Sequence, residues 1–83
     1  MYAIVVDYYH WDEENQKEFT KPMYLGVAYP PMNIYVFDEE HNSRSLRWNS
    51  KADVKKYFKD HKFDEPSFCY ENARIEEVEI CTQ

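Results

Sequence analysis

An 83-residue chain makes a single domain, residues 1–83, and at that size it buries roughly 60–65% of its unfolded surface, so its core is small. With 43% hydrophobic and 18% aromatic residues it is too apolar for a disordered chain, and one glycine beside four prolines excludes glycine-rich and proline-rich repeats. The formal charge is −6, no run of about eighteen apolar residues exists to span a bilayer, and the N-terminus meets charge at Asp7, unlike a signal peptide; the expectation is a cytosolic protein.

Residues 2–9, YAIVVDYY, are β-branched and aromatic and predict a strand. The polar stretch 10–18, HWDEENQKE, predicts a long hairpin connection, and 22–29 a second strand that begins at Pro22 and is stopped by Pro30-Pro31. A third strand, 32–38, alternates: Met32, Ile34 and Val36 point one way and Asn33, Tyr35 and Phe37 the other. Residues 38–44 read as a loop.

Ser50 is placed to cap a helix, with Asp53 three residues on. Val54, Tyr57, Phe58 and His61 fall on one face, and Pro66 forbids continuation much past residue 64. Residues 67–72 are ambiguous. The last segment, 73–81, is strand-like, but Ile75 is out of phase with Val78 and Ile80, which predicts a bulge near Glu76-Glu77 or a late start. The expected fold is α+β: a small antiparallel sheet, β-β-β-α-β, with one helix packed on one face. Ile4, Val6, Leu25, Val27, Ile34, Val36, Val78 and Ile80 would lie under the helix, and Val5, Tyr9, Tyr24, Tyr35 and Phe37 on the opposite face. That second face is either an interface or covered by residues 67–72 with Phe68 and Tyr70.

Charge divides the chain. Residues 44–62 carry +5 and the remainder −11. Lys51, Lys55 and Lys59 form a helical stripe, which reads as a solvated face or a phosphate contact. Surplus acid elsewhere opposes direct nucleic-acid binding, which needs a positive face. The acids cluster as Asp12-Glu13-Glu14, Asp38-Glu39-Glu40 and Asp64-Glu65. They read as solubilising loop charge or as a surface for a basic partner, since a field of carboxylates attracts a basic groove.

Catalytic signals are missing. There is no G-x-S-x-G, P-loop, G-x-G-x-x-G or H-E-x-x-H motif, and His10-Trp11-Asp12 reads as an exposed loop histidine beside a packed tryptophan. Cys69 and Cys81 read as free thiols, no metal-ligand spacing or Ca²⁺ loop occurs, and no cofactor is expected.

A strand opening at Met1-Tyr2, the helix announced by Arg47-Trp48-Asn49-Ser50-Lys51-Ala52-Asp53, and the closing Ala73-Arg74-Ile75-Glu76-Glu77-Val78-Glu79-Ile80 together resemble small acidic accessory proteins of phages and prophages. These include anti-CRISPR and other anti-defence inhibitors. The resemblance implies a non-enzymatic inhibitor in the host cytosol whose acidic face occupies the groove of a basic, nucleic-acid-handling effector. The expected contact residues are Trp11, Asp12, Glu13, Glu14, Asp38, Glu39 and Glu40, with Asp64 and Glu65 as a further acidic pair. Two alternatives stay open. One is a nucleotide or small-ligand sponge in which Tyr24, Tyr35 and Phe37 stack a base and Lys51, Lys55 and Lys59 take its phosphates. The other is self-association, a homodimer in which basic helix meets acidic loop, in place of a monomer.

Overall fold

The computed structural model describes residues 1–27, 35–41 and 45–78. The elements are β1 (Tyr2–Asp12), β2 (Lys17–Val27), β3 (Tyr35–Asp38), α1 (Lys51–Asp60) and β4 (Tyr70–Glu77). They form an antiparallel four-stranded sheet in the order β3-β2-β1-β4, with α1 across one face. This is the expected α+β fold.

The hairpin is longer than expected, because residues 10–12 and 17–18 pair instead of looping: His10 faces Phe19, Trp11 faces Glu18 and Asp12 faces Lys17. Alternation there runs between two polar or mixed faces, so no apolar stripe announces the strand. At the other end β1 and β2 part. Tyr2 pairs with Glu77 on one side and Trp48 on the other, while Gly26 pairs with Val36 on one side and Ser45 on the other. A strand residue has one neighbour per side, so the 45–48 segment fills the gap between the two strands. Leu46 N–H donates to the Leu25 carbonyl at 2.9 Å, and Trp48 and Tyr2 exchange two backbone bonds of 2.8 and 3.0 Å.

Beneath α1 the core is Ile4, Leu25, Val54 and Phe63, ringed by Tyr2, Phe37, Leu46, Trp48, Tyr57, Phe58, Tyr70, Ala73 and Ile75. Burying each large apolar side chain contributes roughly 1.5–3 kcal/mol before entropy is counted. Ser50 caps the helix as expected, accepting from the Asp53 N–H at 3.4 Å. Its C-terminal turn closes with Phe63 N–H to the Phe58 carbonyl at 3.0 Å and Lys62 N–H to the Lys59 carbonyl at 3.1 Å. This paired closure places residue 62 in the left-handed region and delivers the next residue to the core. Lys62 sits there at φ 60° in place of glycine, and Phe63, absent from the expected core, is buried against Phe58.

Two expectations about side-chain direction are corrected. Leu25 lies opposite Phe37 and Gly26 opposite Val36. Directly opposed residues share a face, so Phe37 joins the core under the helix and Val36 points away, the reverse of the predicted parity. The bulge is displaced as well. Val5 pairs with Arg74 and Asp7 with Glu71, so Asn72 and Ala73 of β4 oppose Val6 alone, with Asn72 at φ 53°. The extra residue brings Ile75 opposite Ile4, making it the core residue that Val78 and Ile80 were expected to be. Val78 is half-buried and donates its N–H to the Met1 carbonyl at 2.7 Å. Predicted features at Met32, Asn33, Ile34, Ile80 and Cys81 lie outside the described residues.

Candidate functional site

β1 runs toward the hairpin tip, β4 begins at Tyr70 opposite Tyr8, and β3 ends at Asp38 opposite Tyr24. The loops holding all three acidic clusters therefore lie toward one end of the sheet. At about 3.3 Å per residue the tip projects some 13 Å beyond the Tyr8–Tyr70 pair.

At the tip, Asp12 is committed to the turn. Its Oδ1 accepts from the backbone N–H groups of Glu14 at 3.0 Å and Asn15 at 3.3 Å, and its Oδ2 from Asn15 Nδ2 at 2.7 Å. These bonds, led by the Asn15 side chain, hold the carboxyl below its ordinary pKa. Gln16, at φ 51°, reaches back to the Glu13 carbonyl at 2.8 Å. The turn leaves Glu13 and Glu14 exposed at the outermost point, and Trp11, 57% exposed, beside Glu18.

The β3 cluster is less available than its sequence suggests. Asp38 is half-buried within the sheet, and Glu39 Oε1 accepts from Lys21 Nζ at 3.0 Å, an exposed pair worth at most about 1 kcal/mol. Glu40 is exposed. Asp64 and Glu65, exposed on the loop after α1, meet the exposed Glu71 of β4 around an open cleft of about 530 Å³. Phe58, Phe63 and Tyr70 line it on the helix side of the sheet, and Tyr9 borders it from the other face. Phe68, wholly exposed, stands between this cleft and the top of β1, where Tyr9 N–H donates to the Cys69 carbonyl at 3.0 Å.

The stacking site proposed for a nucleotide is not assembled. Tyr24 pairs with Asp38 and Phe37 with Leu25, so their side chains lie on opposite faces; Tyr24 meets His41 edge-on at 5.4 Å while Phe37 is packed against Tyr8 and Tyr70. Tyr35 pairs with Val27 through its backbone. Lys51, Lys55 and Lys59 are exposed on α1, and Trp48, beside Arg47, is spent on packing against Tyr57 at 4.9 Å. His10 lies between Tyr8 and Phe19 on the helix side of the ribbon, whereas alternation turns Trp11 to the other side. Cys69 is an exposed free thiol, its N–H donating to Ser67 Oγ at 3.1 Å.

Sequence reading missed a polar network on the face away from the helix. Arg74 Nη1 donates to Asp7 Oδ1 at 2.9 Å, Arg74 Nε to Glu76 Oε2 at 2.8 Å, and Asn72 Nδ2 to Asp7 Oδ2 at 3.1 Å. The Asn72 and Arg74 bonds hold the Asp7 carboxyl below its ordinary pKa. Only the bulge brings these three residues together, and no local signal marks it.

Among the described residues, no three His, Cys, Asp or Glu side chains converge to hold a metal ion, and no helix is long and apolar enough to cross a membrane. No protein-family model, curated protein or solved structure matches the chain.

Proposed function

We propose that the protein is a non-catalytic binding protein that presents its acidic end to a basic, nucleic-acid-handling macromolecule. One observation carries the reading: the two exposed large hydrophobic side chains among the described residues, Trp11 and Phe68, both stand at the end that holds Glu13, Glu14, Asp64, Glu65 and Glu71. Exposed aromatic anchors within a charged rim are the usual composition of a protein interface. The carboxylates accelerate encounter with a basic groove, and the rings resist dissociation once water is expelled.

The resemblance to phage accessory proteins suggests a host defence effector, such as a CRISPR nuclease, as the partner. Inhibition would then follow from occupation of a groove that otherwise holds a nucleic-acid backbone. Asp12 belongs to this surface as the brace of the turn, with Glu13 and Glu14 as its contacting charges.

The test is competition. Immobilised protein is exposed to nuclease-treated bacterial lysate, and retained proteins are challenged with duplex DNA and with rising salt. The proposal requires a discrete basic nucleic-acid-binding protein that both agents displace. Retention that neither DNA nor salt disturbs refutes it.

A further inference from the structure

The cleft between the C-terminal end of α1, the 63–67 loop and the start of β4 has a chemistry of its own. At about 530 Å³ it falls within the range of sites that enclose a ligand of several functional groups. Phe58, Phe63 and Tyr70 line it on the helix side, Tyr9 and Glu71 border it from the other face across the edge strand, Asp64 and Glu65 rim it, and no lysine or arginine among the described residues lines it. Rings offer their negative faces to a cation, and carboxylates complete its coordination by hydrogen bonds. An anionic ligand finds no donor side chain of positive charge there. Phe58 and Phe63 are fixed by the closure of the helix, and Tyr70 by pairing with Tyr8, so the walls are preformed.

We infer that this cleft receives an arginine side chain, together with its flanking backbone, from a basic polypeptide partner. The inference rests on the reading of the acidic end as a partner surface and names the group it grips. Guanidinium is favoured over ammonium because it is planar, stacks on aromatic faces and presents a fork of N–H donors to carboxylates, whereas ammonium is a compact, strongly hydrated point charge. The volume exceeds what one guanidinium fills, so neighbouring peptide groups enter with it. A second copy of this chain is a poorer occupant, since each copy carries −6 overall.

The experiment uses the whole protein, isotope-labelled, titrated at near-physiological salt with the acetylated, amidated peptide Gly-Gly-Arg-Gly-Gly and with versions carrying lysine or citrulline at the centre. The expected result is saturable shifts at the amides of Ser67, Tyr70, Glu71 and Ala73 for arginine, weaker binding of lysine and no saturation with citrulline, the neutral isostere. The pair Glu65→Gln with Glu71→Gln weakens the arginine peptide by about tenfold or more, the loss expected on removing charge-assisted hydrogen bonds. Glu77→Gln, which removes an exposed charge at the far end of β4, leaves it unchanged. Equal binding of citrulline or lysine, or equal weakening by Glu77→Gln, overturns the inference. So do concentration-dependent shifts at the same amides without peptide, which identify a second copy as occupant. If the peptide fails while charge reversal at the hairpin tip still abolishes partner binding, this inference falls alone; if reversal also has no effect, the surface reading falls too.

Discussion

Replacing Lys62 by glycine should stabilise the protein. Lys62 follows the last turn of α1 at φ 60°, where Cβ crowds the adjoining carbonyl. That conformation costs a residue other than glycine roughly 1–2 kcal/mol. Glycine removes this penalty and returns roughly 0.5–1 kcal/mol of it through the greater freedom of the unfolded chain. The net expectation is a gain of about 0.5–1 kcal/mol, or a rise in Tm of roughly 2–8 °C for a domain of this size. The exposed lysine side chain has little packing to lose, so Lys62→Ala, which keeps the Cβ, should leave stability nearly unchanged. Thermal and urea unfolding of the three proteins followed by circular dichroism decide the matter. A glycine variant no more stable than wild type, or an alanine variant as stable as the glycine one, would refute the strain at this closure and the account of how Phe63 reaches the core.

Asn72→Ala should destabilise by about 1.5–3 kcal/mol, since it loses the bond to Asp7 and alanine tolerates φ 53° less well than asparagine. Asn72→Gly, which relieves the φ, should cost about 1 kcal/mol less, and equal urea midpoints for the two would contradict the bulge geometry. Asp7 also sets a pH dependence. Its carboxyl is held below 3.8 in the folded protein, so the unfolded chain protonates first as pH falls. The stabilisation is complete above that value and is lost as pH drops through the lowered one, so Asp7→Asn should flatten the decline in urea midpoint between about pH 5 and pH 3. The residual slope belongs in part to Asp12, whose carboxyl is lowered by the turn. A slope unchanged in Asp7→Asn would exclude the network as its source. Trp11→Ala and Phe68→Ala should each shift unfolding by less than about 0.5 kcal/mol while weakening partner binding, because both rings face solvent. A large loss of stability would show that they pack in the fold instead of serving a partner.

The parts of the fold legible from sequence are those fixed by local rules. Ser50, the Val54-Tyr57-Phe58 spacing and Pro66 bound the helix, observed at Lys51–Asp60. The β-branched run of β1 declares a strand, and strand count and order of elements follow. Side-chain direction in β3 did not follow, because register is set by which residue of β2 it meets, and Leu25 meets Phe37. The seating of Ser45–Trp48 between β1 and β2 is likewise a long-range event; Trp48 looked like part of a basic segment and is instead a wall for Tyr57. Phe63 had a usable signal, an apolar residue just past a helix end, masked by a lysine where glycine is usual. Of the candidate site, acidic clustering was visible, but its division of labour was not. Asp12 braces a turn, Glu39 pairs with Lys21, and Asp64 and Glu65 find Glu71 and an aromatic-lined cleft only after the chain folds.

The most direct measurement is the dissociation constant of the DNA-displaceable partner for wild-type protein and for a variant with Glu13→Lys, Glu14→Lys and Glu65→Lys, all exposed and outside the core. The circular dichroism spectrum should be retained. Binding should weaken by tenfold or more, with a shallower dependence on salt, as expected when complementary charge is reversed. A folded variant that binds its partner as tightly as wild type, with the same salt dependence, would contradict the proposal that the acidic end of the sheet is the working surface.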